Sequence, residues 1–100
     1  MVTKILIVDS QLTSEEENTV RTLQLLGDPT RFKICKLLLS NEELCVSEIA
    51  QRLNVSVSAV SQHFHSFELS GLVTKVRHGQ KICYQLQTDN QIINQIVSSK

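Results

Sequence analysis

The 100 residues contain no tryptophan, one tyrosine and three phenylalanines, so a core must be built mainly from aliphatic side chains. No apolar run approaches the roughly 18–20 residues that cross a bilayer, and Ile5-Leu6-Ile7-Val8 is shorter than the about 7–15 residues of a signal-peptide apolar region. The expectation is a soluble, unexported, cytoplasmic chain with no membrane partner. Three scattered glycines cannot form a phosphate-cradling loop, and no Cys/His or Ser/His/Asp pairing recurs, which excludes the common catalytic classes. Neither enzymatic activity nor a cofactor is expected. The three cysteines, at 35, 45 and 83, are odd in number and widely spaced, unlike the disulfide framework of a small secreted domain. Ten basic residues balance ten acidic ones, so no global field draws the chain to nucleic acid.

What is present suffices for one domain: 41% of residues are hydrophobic, and a single core typically serves about 100–150 residues. Charge is unevenly spread. Residues 1–55 hold six Lys/Arg and eight Asp/Glu, whereas 56–87 hold Lys75, Arg77 and Lys81 against Glu68 alone, together with His63, His65 and His78.

Punctuation along the chain predicts five helices and one hairpin. Ser14 with Glu17 reads as a capping box opening a helix to about Leu26, ended by Gly27. Asp28-Pro29 supplies an N-cap and a first-turn proline for a second helix. A short third helix runs to Leu53, with Ile49, Ala50 and Leu53 on its apolar side. Ser56 caps a fourth, whose apolar stripe is Val57, Val60, Phe64 and Phe67 and whose end is Gly71. The period then changes from helix to strand over 73–77 and 81–86, joined at Gly79. Thr88 with Gln91 suggests a second capping box and a last helix carrying Ile92, Ile93, Ile96 and Val97, whose apolar side must dock on its own domain or on a second subunit. Residues 1–12 are expected to form an arm or short strand, and 13–100 a single domain.

Two helices joined by a tight turn and followed by a glycine-tipped hairpin are the parts of a winged helix-turn-helix, mainly α with a small β-hairpin. In that motif the second helix enters the major groove, so its outward face must carry short or flexible polar groups. Opposite the apolar stripe lie Ser58, Ala59, Gln62, His65 and Ser66, flanked by Ser61 and His63. The plain alternative is a solvated helix face.

Three stretches make the case specific: Glu43-Leu44-Cys45-Val46-Ser47-Glu48-Ile49-Ala50, then Val55 through Phe64, then Ser70-Gly71-Leu72-Val73. They resemble the ArsR/SmtB family of bacterial repressors, and Leu26-Gly27-Asp28-Pro29-Thr30-Arg31 is similar to the family's ALADPTR stretch. The resemblance covers about residues 19–97. It implies a homodimer paired through its first and last helices, with double-stranded DNA as partner and helix 57–69 in the major groove of an inverted-repeat operator. Candidate DNA-contacting residues are Ser56, Ser58, Ala59, Ser61, Gln62, His63 and His65, with Arg77, Gln80 and Lys81 on the wing. Val57 departs from the polar residue that many members carry there. A winged helix used only for protein–protein contact is the alternative.

The family's effector sites transfer poorly. Arsenic sensors read ELCVCDLC in the third helix, where this chain keeps Cys45 but has Ser47 and Ala50, and the last helix offers Asp89 but no histidine. Neither As(III) nor Zn(II) is expected at those two sites, and no residue is assigned as a metal ligand. His63 and His65 point about 200° apart on a helix and cannot share an ion. Cys35 and Cys83 read most simply as packing residues. A thiol switch, redox or soft-metal, between Cys45, near a helix N-terminus, and Cys35, one helix earlier, is a candidate.

Overall fold

The computed structural model describes residues 11–87 and 90–97. The arm expected over 1–12 falls almost wholly outside the described residues, as do Thr88 and Asp89. Helix α1 (Ser14–Leu26) starts one residue earlier than the sequence suggests: Thr13, not Ser14, is the N-cap. Its hydroxyl accepts from the Glu16 N–H at 3.0 Å, and the Glu16 carboxylate accepts from the Thr13 N–H at 2.9 Å. Asp28 and Pro29 open α2 (Pro29–Ser40) as expected, the Asp28 carboxylate accepting from the Arg31 N–H. Arg31 also donates to the carbonyls of Leu25 at 2.8 Å and Gln24 at 3.2 Å. Those carbonyls belong to the last turn of α1, where helical donors run out; the Gln24 carbonyl also accepts from the Gly27 N–H at 3.3 Å. One arginine therefore fixes the corner between the first two helices.

Helix α3 (Val46–Leu53) ends at Asn54, whose φ of 57° turns the chain left-handed and delivers it to α4 (Val57–Ser70). Ser56 caps α4 by accepting from the Ala59 N–H at 3.0 Å, and Gly71 ends it at φ 77°, a conformation that costs glycine least. Strands β2 (Val73–His78) and β3 (Lys81–Leu86) pair antiparallel from Val73 opposite Leu86 to His78 opposite Lys81. This leaves Gly79-Gln80 as a two-residue turn, with Gly79 at φ 65°. A third strand was not anticipated. β1 (Leu44–Cys45) pairs with β3, Leu44 opposite Tyr84 and Cys45 opposite Cys83, giving the sheet order β1-β3-β2. The last helix, α5 (Gln91–Ile96), is capped by Asn90, whose side chain accepts from the Ile93 N–H at 3.0 Å, two residues beyond the expected cap.

Ile34, Cys35, Ile49, Val60, Phe64, Phe67 and Ile93 are completely buried at the junction of the helices and the sheet. Within that core Phe64 lies flat on Tyr84, centroids 3.9 Å apart with planes 3° from parallel, and tilts against Phe67 at 5.6 Å. Val57, assigned to the same stripe, is 52% exposed: it opens the first turn of α4, beyond the edge of the core. The fold is a winged helix-turn-helix of five helices and a small three-stranded sheet among the described residues.

Truncating Phe64 removes a fully buried ring and its partner on Tyr84. Phe64→Ala should lower the unfolding free energy by about 3–5 kcal/mol, against about 1 kcal/mol for Thr13→Ala at the exposed cap. Urea titration of both variants checks the contrast, and equal losses would contradict it.

Candidate nucleic-acid interface

The turn Asn54–Ser56 aims α4 away from α3, so the side of α4 opposite Val60, Phe64 and Phe67 faces solvent. Ser58, Ser61, Gln62 and His65 are all exposed there, and none of their side chains takes part in a hydrogen bond or ion pair among the described residues. Ser56 is exposed but its hydroxyl is committed to capping, and Ala59 is half-buried. His63 turns aside: it is half-buried and near enough to the Asp28 carboxylate for its charge to act there. The Asp28 carboxyl is held below its ordinary value, first by the Arg31 N–H it accepts and then by the charges of Arg31 and His63. His63 therefore lies at the border of the outward face, on the side toward Asp28.

On the wing, Arg77, Gln80 and Lys81 are exposed and make no ion pair among the described residues. Lys75, by contrast, is paired at 3.3 Å with Glu68 on α4. Val57 and Ser61 face Gln80, Lys81 and Ile82 across a groove of about 270 Å³, whose floor includes Cys45, Val46 and Ser47. Helix and wing therefore flank one continuous surface. Val57, absent from the sequence-derived set, lines it, and its departure from the family's polar pattern was the one signal that pointed to it.

The spacing between helix and wing is held from inside. Besides the Phe64 stack, the Tyr84 hydroxyl donates to Glu68 at 3.4 Å. Burial, then the Glu68 charge and that hydrogen bond, push the Tyr84 phenol up to about 12. The neutral ring is therefore retained far above neutral pH.

The cysteines are arranged differently from expectation. Cys45 is bonded to Cys83, not paired with Cys35, because the β1–β3 register sets residues 45 and 83 opposite each other. Cys35 points into the core, is completely buried and is a free thiol. Its apolar surroundings raise its thiol to about 12. Beside the bonded pair, Glu43 accepts from Gln85 at 3.2 Å and meets His78 Nε2 at 2.6 Å. One Glu43 oxygen and the sulfurs of Cys45 and Cys83 lie within 4.8 Å of one another. With the thiols reduced, these donor types would suit a thiophilic cation.

Comparison with known proteins agrees with this geometry. The family model described as bacterial regulatory protein, arsR family, matches residues 28–75. The cadmium resistance transcriptional regulatory protein CadC of Listeria innocua is 34% identical over 61 residues, covering 61% of this chain and 51% of its own. The transcriptional activator HlyU of Vibrio cholerae is 36% identical over 76 residues, covering 73% and 69%. Its solved structure superposes with a TM-score of 0.76 at 29% identity over 87% of this chain and 91% of that one. The transcriptional repressor PagR of Bacillus anthracis superposes at 0.71 with 27% identity over 84% and 93%. The chain spans about half the length of several curated relatives it matches.

A neutral Cys35 in a dry site should resist reagents. Iodoacetamide at pH 8 should leave it unlabelled in the native chain and label it once urea unfolds the protein; rapid native labelling would contradict its burial. Because its folded value lies above that of a free thiol near 9, the stability it lends is intact below that value and declines as pH rises toward about 12.

Proposed function

The chain belongs to the ArsR family of bacterial regulatory proteins, and from that premise we propose that it is a homodimeric DNA-binding transcriptional repressor reading an inverted-repeat operator. The family is one of transcriptional regulators, and this reading assigns the chain no catalysis. The observation that carries the proposal is the row Ser58, Ser61, Gln62 and His65, exposed and uncommitted on one helix, beside a wing that offers Arg77 and Lys81 without acidic partners. Small side chains let a helix axis approach base pairs, glutamine can bond both edge groups of adenine, and serine or histidine can reach a base or a phosphate. Val57, at the leading end, suits contact with a thymine methyl. Residues 13–100 act in this reading as one domain, in which α4 over 57–69 supplies readout and the wing supplies phosphate contact.

Dimerisation through α1 and α5 has support in surface that one subunit leaves uncovered. Leu12, Val20 and Leu23 are 56%, 39% and 47% exposed, and Ile96 on α5 is 45% exposed, although Ile93 and Val97 of the same helix are buried. Two recognition helices related by a two-fold require half-sites about 10–11 base pairs apart or a multiple of that. Leu23→Asp should convert the dimer to monomer in sedimentation at micromolar concentration, with the far-UV spectrum unchanged. A wild-type chain that sediments as monomer would sink this part of the reading.

The two kinds of DNA contact separate under mutation. Ser61→Ala with Gln62→Ala should lower the ratio of specific to non-specific binding by about 1–3 kcal/mol. Arg77→Ala or Lys81→Ala should weaken binding to all sequences alike and reduce the slope of affinity against salt by about one unit per lost phosphate contact. A winged helix serving only protein contact would show no steep salt dependence and no sequence preference in either series.

A further inference from the structure

We propose that the trough between α1 and α5 is a binding site for a short zwitterionic peptide of two or three residues, its carboxylate toward Arg21 and its ammonium toward Glu15. Two clefts of about 420 and 470 Å³ meet there, sharing Asn18, Thr22 and Asn90. Arg21 lines the first and Glu15 the second. The inward stripe of α1 explains why the space exists. Thr22, Leu25 and Leu26 are buried on it. Stepping back from Thr22 along the same side reaches Asn18 and Glu15, where a packed amphipathic helix would carry apolar side chains. With polar groups in those places, the N-terminal half of α1 does not close on α5.

The groups lining the trough are only half committed. Arg21 Nη1 donates to the Asn18 side-chain oxygen at 2.8 Å, which steers the guanidinium along the helix and leaves the Asn18 amide N–H groups without a partner among the described residues. The Asn90 side-chain oxygen accepts from the Ile93 N–H at 3.0 Å, leaving the Asn90 amide N–H groups in the same condition. Thr22 is 4% exposed, a buried polar residue in an otherwise apolar core; its hydroxyl donates to the Asn18 carbonyl at 3.0 Å and its oxygen can still accept. Glu15 and Arg21 form no ion pair among the described residues. Amide N–H groups pair with carbonyl oxygens, a guanidinium with a carboxylate, and a free carboxylate with an ammonium. A simple anion would meet Glu15 and a simple cation Arg21, so a ligand that carries both charges with amides between them fits better than either.

Length sets the size of the ligand. From Glu15 to Arg21 the helix axis advances ~9 Å at 1.5 Å per residue. An extended peptide reaches at most about 3.3–3.6 Å per residue, so two or three residues place their two termini at the two poles and their carbonyls beside Asn18 and Asn90. The trough is separate from the surfaces already assigned. Val20 and Leu23, offered to a second copy, lie about 100–160° around α1 from Thr22, so a partner seated on them leaves it open. Neither the outward row of α4 nor the tip of the wing lines it. The inference therefore rests on no part of the DNA-binding reading.

The test titrates the full chain with triglycine, followed by backbone amide shifts and by the melting midpoint. The shifts should saturate with a Kd of about 1 mM, as befits so small a ligand, and should centre on the α1 and α5 residues of the trough. The melting midpoint should rise with triglycine concentration, because the ligand binds the native state alone. Arg21→Gln and Glu15→Gln, both at exposed positions, should each weaken binding about tenfold, whereas Lys33→Gln, outside the trough, should not. N-acetyl-triglycine should bind the wild type about tenfold more weakly and lose nothing further in Glu15→Gln; triglycinamide should behave in the same way with Arg21→Gln. Were either variant to misfold, the two analogues would still read both poles on the wild type. No saturation by about 20 mM, or shifts centred on α4 and the wing, overturns the site. Acetate or N-acetyl-triglycinamide binding as tightly as triglycine overturns the zwitterion, and ω-aminoheptanoate binding as tightly overturns the peptide. Unchanged affinity in both charge variants would do the same for the assigned poles.

Discussion

The stack of Phe64 on Tyr84 is the contact on which the exposed surface depends. Phe64 is on the inward side of the fourth helix and Tyr84 is on the central strand of the sheet, so their parallel rings set the distance from helix to wing. Glu68, one turn beyond Phe64, accepts from the Tyr84 hydroxyl and pairs with Lys75 on the neighbouring strand. One helix is thus tied to both strands of the hairpin. In an otherwise aliphatic core, rings fix orientation as well as burial, because offset and parallel arrangements are favoured over others. Leu44 opposite Tyr84 extends the same layer to the strand leading into the third helix.

Zero net charge is no obstacle to a nucleic-acid role once charges are followed to their partners. Arg31 is occupied with the carbonyls of Gln24 and Leu25, Arg21 with Asn18, and Lys75 with Glu68. Arg77 and Lys81 on the wing have no such commitment among the described residues. The field that a phosphate backbone would meet is local, and within a Debye length of about 8 Å at physiological salt the nearest unpaired cations outweigh the whole-chain sum.

Features legible in the sequence are those whose cause is local. Asp28-Pro29, Ser56, Gly71 and Gly79 each act within a few residues, through a cap, a fixed φ or a left-handed turn, and the structure has all of them in those roles. The start of the first helix was ambiguous for an equally local reason: Thr13 with Glu16 and Ser14 with Glu17 offer the same capping chemistry one residue apart. The short strand at Leu44–Cys45 was not legible, since two residues give no alternation and the strand exists only because β3 lies beside it. Pairing Cys45 with Cys35 followed proximity in sequence, whereas the observed partner follows from register. Angle alone placed Ser58, Gln62 and His65 on the exposed side of the fourth helix, where they are, with Ser61 beside them; Ala59 and Ser66, assigned to that side, are half-buried, and Val57, assigned to the core stripe, is exposed in the first turn.

The sheet has two faces with different physics, and its small size makes both matter. The inward face, with Leu44, Tyr84, Leu86 and Val73, is held by burial and cannot change without opening the core. The outward face carries Cys45 and Cys83 bonded together, with Glu43 held by Gln85 and His78 beside them. These contacts lie apart from the buried cluster around Phe64. A three-stranded sheet with one two-residue edge strand has little hydrogen bonding of its own, so side-chain packing does most to hold it in place. Rigidity therefore resides on the face that positions the wing against the recognition helix.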